Sequence, residues 1–387
     1  MSERLSATID ILDRLVGFET ISGRPTHAIV DYISGYLESH GLTASLSYDE
    51  DGERANVFAT IGPQVDGGVV LNGHTDVVPV EGQLWQTDPF KLTRKDGRLY
   101  GRGAVDMKGF LACVLGAVPT FKAANLKRPV HIAFSYDEET GGYGMPVLLD
   151  DMAGKTFRPA IVIVGEPTGM QIVSGHKGGY EMRTEITGLE THSCNPLNGV
   201  NAISYAVRLI SHIEEKGCQL AAKPYPKSPY EPPYATFNIG TIDGGSARNA
   251  TAGACAFDWE LRPMPGEDGA AIIADIERFA AGELLPQMRK GHPGADIRVI
   301  TEAPVPPLDD RNAATAIEFV CELTGQNSHG VVSFGTDAGY FSNAGYSTVV
   351  FGPGSIDRAH KPGEYIEEHE LAAGLDFMQR IADRLSR

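Results

Sequence analysis

The sequence predicts an α/β protein, a mostly parallel sheet between helices, interrupted by a smaller inserted α+β domain. Two observations carry this reading. Four runs, GGVVLNGHTD (67–76), PVHIAFSYDEE (129–139), PAIVIVGEP (159–167) and STVVFGPGS (347–355), are rich in apolar residues before they turn polar, as strands buried on both faces are. Between the third and fourth, YEMRTEIT (180–187), YATFNIGT (234–241) and CAFDWELR (255–262) alternate apolar with polar residues, as half-exposed antiparallel strands do. At 387 residues the chain is also longer than a single core usually supports. The expected division is 1–178 and 303–387 for the α/β domain, with 179–302 inserted.

The elements follow in order. Residues 1–18 have apolar residues at helical spacing with charges interleaved. They lack the apolar core and small-residue cleavage site of a secretory signal, so the expectation is a cytoplasmic protein. Helical patterns are expected over 26–40, 107–123, 311–324 and 368–386, beside the buried strands. In the insertion, helices are expected near 200–215 and 268–283, with a further strand at ADIRVIT (295–301). The Pro-rich stretch AAKPYPKSPYEPPY (221–234) is too rigid and donor-poor for a regular element and reads as a long loop.

Composition removes several classes of function. A formal charge of -17 without a basic cluster argues against nucleic acid, which needs a basic surface. No run approaches the roughly 20 apolar residues of a membrane span. The five cysteines are scattered and form no CxxC pair, so neither a disulfide framework nor a thiolate metal site is expected.

Ligands of open α/β sheets gather beyond the carboxyl ends of the strands, and there the chemistry-bearing residues cluster. His74 and Asp76 follow the first buried run, Glu138 and Glu139 the second, Glu166 the third, and a GPG turn and His360 the fourth, while Asp106 opens the helix near Met107. Each residue alone has an ordinary explanation, such as a helix N-cap for Asp106. Their convergence on one sheet edge suits imidazole and carboxylate donors around two divalent ions, with no sulfur.

The stretches GHTDVVPV, YGRGAVDMKGF, DEETGG, GEPT, THSCNPLNGVNAI, GGSARN and FGPGSIDRAHKPGEY resemble, in the expected order, those of the M20 family of metallopeptidases and deacylases. The resemblance implies a zinc-aminopeptidase-like catalytic domain with an inserted lid and dimerisation domain. It implies two divalent ions, Zn2+ or Co2+, with Asp106 bridging them, His360 and Glu139 completing one position, and His74 and Glu166 the other. Glu138 would be the general base, and Asp76 would accept the other ring N–H of His74. A cis peptide is implied between Asp106 and Met107.

The resemblance further implies that His192 reaches the developing oxyanion, often across a homodimer joined through the inserted domains. Asn249 and Arg262 would hold the substrate carbonyl and carboxylate, and Gly354 and Ser355 would present backbone N–H groups. The implied substrate is a small N-acyl amino acid. The sequence departs from the family's usual pattern in GLETHSCNP and in the missing proline after Asn249; neither departure touches an expected metal ligand.

Overall fold

A computed structural model of the chain describes residues 2–387, which form two compact units. The first comprises the chain up to Gly175 with Leu308–Val331 and Thr336–Arg387; the second comprises His176–Pro307 with Val332–Gly335. The chain passes between the units at 175/176 and 307/308, beside the expected 178/179 and 302/303, and again at 331/332 and 335/336, inside the span expected to belong to the α/β domain.

The first unit is built on an eight-stranded sheet, in the order Ala44–Tyr48, Ala55–Ile61, Val130–Ser135, Val69–His74, Ile161–Val164, Ser347–Val350, Val173–His176 and Gly330–Val332. Its centre is parallel. Val69–His74 runs parallel to Val130–Ser135 on one side and Ile161–Val164 on the other, and Ile161–Val164 runs parallel to Ser347–Val350. The register pairs His74 with Ser135 and Asn72 with Val164, so the three polar strand ends emerge at one edge. Every residue of Val69–His74, Val130–Ser135 and Ile161–Val164 is buried, which is what continuous apolar runs predict for strands covered on both faces.

Helices Glu3–Val16, Lys108–Gly116 and Glu368–Leu385 pack together beside the sheet. The first is capped by Ser2, whose hydroxyl accepts from the Leu5 N–H at 3.2 Å, and the last by a capping box of Glu367 and Glu370. The helix expected over 107–123 is two, Lys108–Gly116 and Val118–Ala123. Pro119 sits in the first turn of the second, where its missing N–H costs least.

The second unit is a four-stranded antiparallel sheet, in the order Thr236–Gly244, Ala254–Arg262, Gly179–Thr187 and Asp296–Val305. Met182, Thr184 and Ile186 alternate with more exposed neighbours, and the buried face packs under helices Ala202–Ala221 and Gly269–Phe279. The first helix outruns its expected end at 215, and a π turn, Ala280–Leu284, joins the second to Leu285–Gly291. The cysteines are all free, with Cys194 and Cys218 exposed.

His131 reports on this core. It is fully buried, its ring lies parallel to Phe157 at 4.8 Å, Nδ1 sits 3.0 Å from Thr60 Oγ1, and Nε2 has no hydrogen-bond partner among the described residues. Burial pushes its pKa down to about 4, while the unfolded chain protonates it near 6.5. The neutral ring therefore contributes stability in full above pH ~6.5, and that contribution, at most about 3 kcal/mol, is lost as pH falls toward 4. His131→Phe is expected to flatten the acid limb of unfolding free energy in this window by up to one proton. An unchanged slope in a pH series of denaturant titrations would count against the assignment.

Candidate metal centre

The sheet edge gathers residues from five separate segments. His74 ends its strand; Glu138 and Glu139 begin a single 3-10 turn, Glu138–Thr140, after Val130–Ser135; Glu166 follows Ile161–Val164 by one glycine. That glycine admits Phe110 of the Lys108–Gly116 helix, whose ring carbon would lie 2.1 Å from any Cβ at position 165. The same helix begins just after Asp106, and the Asp106–Met107 peptide is cis. His360 lies on a turn with φ +60°.

The distances define a shared carboxylate between two imidazoles. His74 Nε2 lies 3.2 Å from Asp106 Oδ1 and 3.7 Å from Glu166 Oε1. His360 Nε2 lies 3.2 Å from Asp106 Oδ2 and 2.9 Å from Glu139 Oε2. Donor atoms of His74, Asp106 and Glu139 fall within 4.8 Å of one another, as do those of His74, Glu138 and Glu166.

Six carboxylates crowd this edge, and two imidazoles and the Lys108 ammonium near Asp76 offset them in part. Burial, then the neighbouring Glu166 carboxylate, raises Glu138 well above the usual range; burial and Asp106 do the same to Glu166. Burial holds Glu139 at about 7 and Asp337, bonded to Ser135 Oγ at 2.5 Å, at about 6. Burial opposes the ionised form of Asp106 too, but its contacts to His360 and His74 hold it well below the usual range. Burial disfavours the charged ring of His74, yet Asp106, Asp76 and Glu166 together hold it well above normal; contacts with Asp106 and Glu139 carry His360 to about 10. Glu166 Oε1 is buried without a hydrogen-bond partner among the described residues. An excess of buried oxygen donors, two imidazoles and one orphaned oxygen fit divalent cations.

Asp76 faces His74 with its backbone carbonyl as well as its carboxylate. The Nδ1 of His74 meets the Asp76 backbone carbonyl at 2.9 Å, while the Asp76 carboxylate stands 3.6 Å away, too far for a good hydrogen bond. That carboxylate instead accepts from the backbone N–H groups of Glu138 (3.1 Å) and Glu139 (3.2 Å) and from Ser22 Oγ (2.6 Å). It anchors the turn that carries both acids. Asp137, at φ +54°, is held by Arg54 and by the Gly23 N–H at 2.8 Å.

Gly354 and Ser355 belong to the first unit. Gly354 has φ +89°, and a Cβ there would meet Val105 at 2.3 Å, so this turn demands glycine. It is bonded to the segment after Glu166: the Gly169 N–H donates to the Gly354 carbonyl at 2.6 Å, and Ser355 bridges Thr168.

His192, Asn249 and Arg262 belong to the second unit. His192 is exposed and bridges Ala250, and the Ser193 N–H donates to the Asn249 carbonyl at 3.0 Å, so the first two share one loop cluster. The Cys194 N–H donates to His192 Nδ1 at 3.2 Å. Nδ1 is thus the acceptor, and a neutral ring carries its hydrogen on Nε2, free to donate. Arg262 makes two hydrogen bonds, at 3.2 and 2.8 Å, to Glu260 on the same strand. The guanidinium expected to hold a substrate carboxylate already faces one.

Sequence reasoning passed over Ser22, Asp137, Asp337, Arg102 and Glu364. Asp337 stands in the FGTDAGY run and Glu364 in PGEYI; acids inside otherwise apolar or glycine-rich turns were the available signal.

Fold and site together define the class of metal-dependent amide hydrolases. The chain belongs to Peptidase family M20/M25/M40, whose model matches residues 70–384. It is 36% identical over 379 residues to an acetylornithine deacetylase of Myxococcus xanthus, covering 96% of this chain and 95% of that protein. It is 32% identical over 390 residues to one of Proteus mirabilis (strain HI4320), covering 99% and 98%. Among solved structures it is similar to the di-peptidase Dug1p of Saccharomyces cerevisiae (TM-score 0.75, 16% identity, 99% and 97% covered). It is also similar to the M20 family metallo-carboxypeptidase Sso-CP2 of Sulfolobus solfataricus (TM-score 0.74, 20% identity, 100% of both chains covered).

A cation that binds only the folded site adds stability by mass action, about 2.7 kcal/mol at a hundredfold excess over its dissociation constant. Treating metal-free protein with Zn2+ is expected to raise the unfolding midpoint by several degrees, and a chelator to reverse the shift. Identical melting curves with and without Zn2+ would refute the centre.

Proposed function

We propose that the chain removes the acetyl group of N2-acetyl-L-ornithine, giving L-ornithine and acetate, as a cytoplasmic step of arginine biosynthesis. The observation that carries the hydrolytic part is the placement of Asp106 between His74 and His360, with Glu139 and Glu166 beside them. The near-full-length relatives named acetylornithine deacetylase support the substrate, as does the resemblance of SFGTDAGYFSNAGYSTVVFGPGSIDRAHKPGEYI. The nearest alternative is succinyl-diaminopimelate or another N-acyl amino acid or dipeptide.

His74 and Glu166 would hold one cation, His360 and Glu139 the other, and Asp106 both; Zn2+ suits these donors and Co2+ can replace it. Two such ions, when bound, supply Lewis acidity to an amide carbonyl and acidity to a water. Glu138, on the turn anchored by Asp76, takes the water's proton and returns it to the leaving nitrogen. His192 offers Nε2–H to the oxygen that gains charge, a donor worth roughly 2.7–4 kcal/mol when well placed. Asn249 would hold the carbonyl, and Gly354 and Ser355 the substrate backbone. For Arg262 to grip the substrate carboxylate, Glu260 must yield part of its paired hydrogen bonds. No nucleophilic serine or cysteine is required.

We also infer a homodimer through the second unit. Thr236–Gly244 is an edge strand of its sheet, and Ile242, Ile203 and Val207 are exposed large apolar residues of the same unit. Unpaired edges with apolar side chains favour pairing with another chain.

Glu138→Gln is expected to keep bound metal while kcat falls roughly 10²–10⁴-fold; metal analysis beside turnover decides it, and near-normal turnover would remove Glu138 from the reaction. In a panel of acetylornithine, succinyl-diaminopimelate and dipeptides, acetylornithine is expected to give the highest kcat/KM, and a dipeptide leading would favour the peptidase reading. Mixing His192→Ala with Glu138→Gln subunits is expected to restore partial activity; silent mixed dimers would place His192 within its own subunit's site, and full activity of His192→Ala alone would place it outside catalysis.

A further inference from the structure

His360 is the least sheltered of the five candidate ligands. Its side chain is 52% exposed, against 6% for Asp106 and 7% for Glu139, its partners, and its backbone lies in a turn at φ +60°. A ligand so placed holds a fixed distance to Asp106 only if something ties the two backbones together.

A chain of side chains does so. Glu364 Oε1 accepts from the backbone N–H groups of Val105 (3.0 Å) and Asp106 (3.2 Å). Its Oε2 receives Arg102 Nη1 at 2.6 Å, with both side chains 1% exposed. Arg102 Nη2 donates to Gln83 Oε1 at 2.5 Å, and its guanidinium lies over Trp85, 5.1 Å from the ring centre. Trp85 Nε1 donates to the same Gln83 oxygen at 3.1 Å. With two donors on its oxygen, the Gln83 amide has one orientation, and its Nε2 donates to the His360 backbone carbonyl at 3.2 Å. The path runs from the peptide of Asp106 to the peptide of His360 without passing through any candidate ligand's side chain. The His74 side has separate supports: its own Nδ1 contact to the Asp76 carbonyl, and the Thr75 N–H donating to the Ser135 carbonyl at 2.9 Å.

We propose that Gln83, Arg102 and Glu364 are positioning residues that brace His360 against Asp106. The brace sets the affinity of the cation position formed by Asp106, Glu139 and His360, and leaves the His74 position to its own supports. The inference rests on the two-cation reading above. Groups that orient metal ligands typically change affinity 10–100-fold when lost. Removing either charge of the buried Arg102–Glu364 pair would strand the other and threaten folding. Gln83 is neutral and only partly buried, which makes it the clean point of attack.

The test is a calorimetric titration of metal-free protein with Zn2+, repeated with Co2+ and followed by visible absorption. Wild type is expected to take up two ions. Gln83→Leu is expected to weaken one of them about 10–100-fold and leave the other unchanged, while the metal-free protein melts somewhat lower because Arg102 Nη2 and Trp85 Nε1 lose their acceptor. In a His360→Ala background, adding Gln83→Leu is expected to change nothing for the remaining ion, because the braced position is already lost. Arg102→Lys, which keeps the charge beside Glu364 without the fork, is expected to weaken the same ion. Equal weakening of both ions, or a loss that merely tracks lower metal-free stability, overturns the brace. A chain that binds two ions unaltered by Gln83→Leu overturns the brace alone, whereas one that binds no pair overturns the two-cation reading and the brace with it.

Discussion

Mutual repulsion among buried and half-buried acids is the constraint on which the first unit depends. Asp76, Asp106, Glu138, Glu139, Glu166 and Asp337 meet at one sheet edge, and their pKa values are pushed apart by burial and by one another. Two imidazoles and the Lys108 ammonium near Asp76 do not neutralise them all. A fold that concentrates charge in this way is stable only if backbone N–H groups, buried ion pairs and cations share the load. The anchoring of Glu138 and Glu139 through Asp76, and of Asp106 through Glu364, are local answers to that problem.

The geometry of the sheet converts this tension into a site. Parallel neighbours in register bring His74 beside Ser135 and Asn72 beside Val164, so residues one to four positions beyond each strand arrive together. The acids then divide by environment. Asp106, touching both histidines, stays ionised; Glu138 and Glu166, facing other carboxylates, are driven the opposite way.

Much of this was legible in the sequence, and the failures have physical causes. Val69–His74, Val130–Ser135, Ile161–Val164 and Ser347–Val350 announce themselves because burial on both faces keeps most of their positions apolar, with no polar alternation. Three-residue strands such as Thr93–Lys95, Arg98–Tyr100 and Tyr365–Glu367 do not, since only pairing with one another defines them. Helix Gly144–Ala153 begins with glycine and carries a proline at its third position, which masks its pattern. The candidate ligands stood out as residue types at strand ends, but which atoms of Asp76 meet His74 is a matter of side-chain geometry that spacing does not encode. The Glu260–Arg262 pair was accessible in principle, because residues two apart on a strand share a face.

The neighbouring strands Ile161–Val164 and Ser347–Val350 are hydrogen-bonded along their length, yet roughly 180 residues separate them, including the whole second unit. At ribosomal rates of about 5–20 residues per second, the emerging chain exposes an apolar, unpaired parallel edge for on the order of ten seconds or more before its partner is made. His360 arrives later still. The nascent protein therefore carries a sticky, half-built sheet while the insertion folds, a window in which chaperones or misassociation compete for that edge.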